Sequence, residues 1–191
     1  DHPHRGFEAI TWLFDGGMNH TDNLGNRGTV HAGGAQHFTA GAGIIHSEFP
    51  DGRAHGIQLW INLPKRLKSI APDYQQAEAE SVRTNDSDGV TTRHIAGRNG
   101  AIQLHSDIAY QQIDLAPGAS CVKTVAEMHR GFIYLVAGEL WLGEHRLTSG
   151  DAACIEDETS LALRTEHGAQ LMWCFGKPHH EPIHQHGPFV D

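Results

Sequence analysis

Apolar and polar positions alternate in short runs for most of the chain, and glycine punctuates the runs. A period of two is the mark of half-buried β-strands. Phe7 to Phe14 is the first such run, followed by two turn compositions, Asp15-Gly16-Gly17 and Asn23-Leu24-Gly25-Asn26. Further strands are predicted at Thr29 to His31, Gln36 to Thr39 and Ile44 to Phe49, and again at His55 to Leu63, where Pro64 ends the pattern. From Lys65 to about Gly100 the sequence turns polar, with Pro72 and Asn85-Asp86-Ser87-Asp88-Gly89, and reads as a connector carrying one short strand at Thr91 to Ile95. Alternation resumes after Ile102. The pattern predicts an all-β protein.

The second half repeats the logic of the first. Glu127-Met128-His129-Arg130-Gly131-Phe132 matches His2-Pro3-His4-Arg5-Gly6-Phe7 in its last four residues, and Glu127 stands where the first of the paired histidines stood. Each segment leads into an apolar strand that ends at a glycine turn, Phe14-Asp15-Gly16 in one and Val136-Ala137-Gly138 in the other. This similarity points to an internal duplication. Two barrels are expected, over residues 1–84 and 85–191. The chain lacks an initiator Met and opens inside its most informative motif, so the first barrel is expected to lack its initial strands and the second its tail.

Composition narrows the function classes. A chain of 191 residues with 39% hydrophobic positions can bury one large core or two small ones. The formal charge of −9, with only 14 Lys and Arg and no basic cluster beyond Lys65-Arg66-Leu67-Lys68, excludes an electrostatic nucleic-acid surface. Cys121, Cys154 and Cys174 are odd in number and form no C-x-x-C, so a reducing cytoplasm is the expected compartment. No apolar run approaches the roughly 20 residues needed to span a bilayer.

The candidate chemistry rests on two pairs of metal-ligating residues, His2-Pro3-His4 and His46-Ser47-Glu48. Residues two apart on a strand point to one side, so each pair can aim two ligands into one cavity. Chance pairs are expected in a chain with 16 His, but both of these sit beside apolar, glycine-punctuated strands and not in a polar tail. The expected metal ligands are therefore His2, His4, His46 and Glu48. Three neutral imidazoles and one carboxylate leave a divalent ion with a formal charge of about +1 and with positions for exchangeable ligands, the composition of a reactive centre. Fe(II) is the favoured ion, and Zn, Ni or Mn also suit such ligands. In the second half no His-x-Glu follows Glu127 and His129, so that barrel is expected to hold no metal.

His2 to Glu8, the Thr39-Ala40-Gly41-x-Gly43-Ile44-x-His46-Ser47-Glu48 segment, Gln58 to Pro64 and the closing Gly187-Pro188-Phe189-Val190 together resemble the pirin family of bicupins. The resemblance runs from the first residue to the last. It implies two facing cupin barrels, iron in the N-terminal one, and the same four ligands reached from spacing. It also implies quercetin 2,3-dioxygenase activity, found in some members, and alternatively an iron-dependent regulatory protein that contacts transcription factors or metabolic enzymes. A sugar-phosphate isomerase, which cupins also host, is disfavoured by the absence of a basic cluster near the ligands.

Two departures from the family bear on the site. Many pirins carry arginine within the segment that here reads Ala40-Gly41-Ala42-Gly43, and tryptophan where this chain has His37. His37 either restores part of the missing positive charge or points away from the metal, depending on strand phase. Glu8 follows the first histidine pair, but a second carboxylate would cancel the ion's charge, so Glu8 is expected to orient a histidine. The expected substrate is an aromatic hydroxy-ketone of the flavonol kind, reacting with O2, with Glu48 as both ligand and base.

Overall fold

Strands β1 (His2–His4) and β2 (Phe7–Asp22) open the chain in the computed structural model, which describes residues 1–191. Strand β2 does not stop at the expected turn. Asp15-Gly16-Gly17 forms a bulged stretch within one long strand, with register shifts between Leu13 and Asp15 and between Gly16 and Met18. Gly16 makes this possible at φ 75, where a side chain would strike the carbonyl of Arg53. After β3 (Arg27–His31) and β4 (Ala35–Thr39), strand β5 (Ile44–Asn62) likewise joins two expected strands into one, because it pairs along almost the whole of β2. Strand β6 (Asp73–Ala77), inside the expected polar connector, pairs with β4 at the end of the sheet order β1-β5-β2-β4-β6. An edge strand needs backbone pairing more than apolar alternation, which is why its sequence did not announce it.

Because β2 lies in the middle of this sheet, Phe7 to Leu13 are buried on both faces. Phe7 and Ala9 join Phe38, Ala40, Ile44 and Val190 in one cluster, while Glu8 and Ile10 take the opposite face.

The second unit contains β7 (Thr84–Ser87), β8 (Val90–Ala96), β9 (Ile108–Leu115), β10 (Ser120–Thr124) and β11 (Arg130–Leu142). It continues through β12 (His145–Thr148), β13 (Ala152–Ile155), β14 (Ser160–Arg164) and β15 (Ala169–Gly176). The antiparallel order is β10-β14-β11-β15-β9-β8-β7, with β12 and β13 also on β11. Ile113, Ile133, Leu135, Leu140, Leu171 and Phe175 anchor its core. The long strand β11 carries a register shift between Leu135 and Ala137 followed by Gly138 at φ 84, the counterpart of Gly16 in β2. The sequence repeat is thus also a repeat of bulged strands.

The closing hairpin, β16 (Gln185–His186) and β17 (Phe189–Val190), belongs to the first unit, which comprises Asp1–Val82, Leu104–Ser106 and His179–Asp191. The second unit comprises Arg83–Gln103 and Asp107–Pro178. Val190 is buried in the first core, and the Lys68 ammonium donates to the carbonyls of Gly6 and Val190 and to Asn62 Oδ1, tying the hairpin to the strand bearing the first motif. No helix is long and apolar enough to cross a membrane.

Candidate metal centre

Pairing of β1 with β5 sets His2 opposite His46, and pairing of β5 with β2 sets Glu48 opposite His20 and His46 opposite Asp22. Cross-strand register, added to the i, i+2 spacing, gathers the imidazoles. His2, His4 and His46 present ring nitrogens all within 4.8 Å of one another. His2 Nε2 and His46 Nε2 are 3.0 Å apart, and the His4 ring meets the other two edge-on at 4.6 and 4.9 Å between centroids. His4 and His46 are buried, whereas His2 is exposed and leaves that side open.

This arrangement fits a metal ion. Burial, reinforced by repulsion from His2, His4 and His20, pushes the His46 imidazole down to about 3; burial also lowers His4. Neutral rings with free lone pairs are the form that ligates. Phe38 packs against His4 and His46, and Trp60 lies edge-on to His4 while stacking on Phe7 at 4.2 Å.

Glu48 belongs to a second, overlapping group, with His20 and His46. Its carboxylate is clamped. Gln36 Nε2 donates to Oε1 at 2.6 Å and Gln58 Nε2 to Oε2 at 2.8 Å, while the Thr11 hydroxyl approaches Oε1 at 3.4 Å. The Trp60 indole N–H in turn donates to Gln58 Oε1 at 2.8 Å, which fixes the orientation of that amide. Oε2 thus keeps a lone pair free beyond its amide donor, whereas Oε1 faces both the Gln36 amide and the Thr11 hydroxyl. Gln58→Ala is expected to weaken zinc binding about tenfold, the effect of losing a group that orients a ligand. Competition with a chromogenic chelator measures this, and an unchanged affinity would show that the clamp does not position Glu48.

His20 escaped sequence reasoning, because its H-x-D pair, His20 and Asp22, lies between two turn compositions, where no strand was expected. The imidazole Nε2 meets Asp22 Oδ2 at 3.1 Å, the ring stacks on Tyr74 at 4.3 Å between centroids, and Nδ1 is buried with no hydrogen-bond partner. Burial opposes ionisation of Asp22, yet hydrogen bonds from Asn26, His20 and Leu24 outweigh it and hold the carboxyl below the usual range.

Strand phase decides the open alternative for His37 and identifies the histidine that Glu8 orients. His37 restores no charge beside the metal ligands, since it pairs with Ile10 and shares the face of Glu8, opposite Phe38, the residue that touches His4 and His46. Glu8 does orient a histidine, but that histidine is His37, 3.2 Å from Glu8 Oε1, and the backbone N–H of His105 donates to the same oxygen. Ala42 is exposed, its N–H donating to the carbonyl of Ile70.

Residues 1–61 match the Pirin family, and residues 110–191 match the Pirin C-terminal cupin domain. A Pseudomonas aeruginosa protein that carries the provisional name of a quercetin 2,3-dioxygenase is 39% identical over 205 residues, spanning 99% of this chain and 72% of its own length. Among solved structures, quercetin 2,3-dioxygenase from Acinetobacter baumannii superposes with a TM-score of 0.92 at 32% identity, covering 99% of this chain and 71% of that one. Bacterial pirin YhhW from Escherichia coli, in complex with nickel(II), superposes with a TM-score of 0.77 at 27% identity, covering 93% and 75%. With both halves matched in sequence and the all-β cupin architecture shared, the chain belongs to the pirin family.

Proposed function

We propose that this chain is a metal-dependent dioxygenase acting on flavonol-like chelators, with Fe(II) held by His2, His4, His46 and Glu48. The observation that carries this reading is the convergence of three imidazoles within 4.8 Å beside a clamped carboxylate. Bound iron would supply Lewis acidity and a meeting place for an anionic substrate and O2. The protein's own residues do the rest. Phe38, Phe7 and Trp60 give an aromatic wall beside the histidines, suited to a flat ring system. Glu48 is the group placed to accept the hydroxyl proton of the substrate, and the amides of Gln36 and Gln58 keep it directed while it does so.

A second reading, an iron-dependent regulatory protein, is favoured by Ile45 and Phe49, which flank the His46-to-Glu48 segment and are 48% and 62% exposed. Aerobic incubation of iron-loaded protein with quercetin separates the two. Loss of the flavonol absorption band with oxygen uptake, abolished by Glu48→Ala, is the expected result. No oxygen uptake by demonstrably iron-loaded protein, across several flavonols and other hydroxy-ketones, would leave the regulatory reading in place of the enzymatic one.

A further inference from the structure

His20 stands outside the four ligands expected from spacing, yet the strand ladder places it among them. It lies directly opposite Glu48 in the pairing of β2 with β5, so these two side chains share a face with Asp22 and His46, the opposed pair two residues away. His20, His46 and Glu48 each offer one ligating atom, all within 4.8 Å of one another, a spacing close to twice the roughly 2.0–2.2 Å metal–ligand bond. Glu48 belongs to this group and not to the one formed by His2, His4 and His46.

The His20 ring is held as a ligand is held. Nε2 meets Asp22 Oδ2 at 3.1 Å, and the Asp22 carboxylate is itself fixed by the backbone N–H groups of Leu24 and Asn26 and by the Asn26 amide. A carboxylate only accepts, so the hydrogen of the neutral ring sits on Nε2 and Nδ1 is left with a bare lone pair. Histidines that bind metals characteristically give their second nitrogen to such a carboxylate. Tyr74, stacked at 4.3 Å between centroids, fixes the plane of the ring. Within this frame His20 Nδ1 is buried with no partner, on a side chain with 0% exposure, and His46 Nδ1 is buried with no partner as well. Unmet polar atoms in a buried place are costly until something meets them, and these two belong to one group of ligating residues. Glu48 Oε2 adds a lone pair to the same group. An ion seated among these atoms needs no cavity open to solvent.

We propose that His20 is a metal ligand through Nδ1 and that, with His46 and Glu48, it forms a second coordination position overlapping the one lined by His2, His4 and His46. His20 thereby joins a cluster already read as a metal centre, and its role rests on that reading. Two imidazoles and one carboxylate, with positions left open, are the ligand composition of non-haem Fe(II) oxygenase centres. NMR of ring-labelled histidine in the full chain loaded with spin-active cadmium tests this, because a nitrogen bonded to the ion is split by coupling to it. The His20 signal is identified by its loss in His20→Gln and by its proximity to the Tyr74 ring. Splitting of His20 Nδ1, with Nε2 unsplit, is the expected result. In the variant carrying both His2→Ala and His4→Ala, that splitting is expected to persist while cadmium is retained. Splitting confined to His2, His4 and His46 would overturn the proposal and leave the metal centre standing, and loss of cadmium from the folded double variant would overturn the second position. No splitting at any histidine would remove the metal centre itself, and the role of His20 with it.

Discussion

His46→Ala is expected to yield a folded protein that retains essentially no metal after dialysis, against about one ion per chain in the parent. His46 is the residue shared by the two overlapping groups of ligating atoms in the first unit, and it is 1% exposed. Loss of a group that merely orients a ligand costs roughly 10–100-fold in affinity, and loss of the central ligand is expected to exceed that. His37→Ala provides the contrast. It removes an imidazole of similar burial from the opposite face of the sheet, leaving the fully buried Glu8 carboxylate without its ring partner. Breaking a buried pair in this way costs roughly 3–5 kcal/mol, so the melting temperature should fall while metal content stays near one. Elemental analysis beside thermal denaturation reads both. Full metal retention by His46→Ala would remove His46 from the centre, and loss of metal in His37→Ala would mean that the two faces of β4 are not independent.

The gathering of His2, His4 and His46 was legible because two local facts sufficed, the i, i+2 spacing and the apolar strands beside them. What was not legible depended on register. His20 reaches Glu48 only because β2 continues through Gly16 and Gly17, and a strand that absorbs its turn residues as a bulge looks in sequence like a strand that has ended. Gln36 and Gln58 carry no periodic signal of a carboxylate clamp, because both reach Glu48 from separate strands. The face taken by His37 could not be read either, since a shift of one residue reverses it and only the pairing of β2 with β4 fixes the phase. Strands β6 and β7 fell within a stretch read mainly as connector for a related reason. Their residues are mostly polar, and their place in the fold comes from backbone pairing with β4 and β8. The duplication, in contrast, was visible twice over, in the repeated Arg-Gly-Phe and in the glycine that ends each apolar run, because a bulge at positive φ requires that residue type.

Gly6→Ala is expected to destabilise the protein by roughly 3–5 kcal/mol, a fall in melting temperature on the order of 10 °C for a chain of this size. Gly6 sits at φ 83, and a Cβ there would land on the carbonyl oxygen of Val190. No rotamer change relieves a clash with backbone. Around the same residue, its N–H donates to the carbonyl of Gly41 while its own carbonyl accepts from Leu63 N–H and from Lys68. To make room, the closing hairpin must move off β2, and Lys68 would lose its simultaneous grip on Gly6 and Val190. His4 lies two residues before Gly6, and its Nδ1 approaches the carbonyl of Pro188 in the same hairpin at 3.4 Å. Zinc affinity should therefore fall together with stability. Gly25→Ala separates strain from collision, because Gly25 has φ 93 but nothing within 4 Å of an added Cβ. That variant should lose only about 1 kcal/mol, the conformational cost alone, and keep its affinity for zinc. Equal losses of stability in the two variants would show that the hairpin is free to give way, and that the Gly6 contact neither holds the tail nor steadies His4.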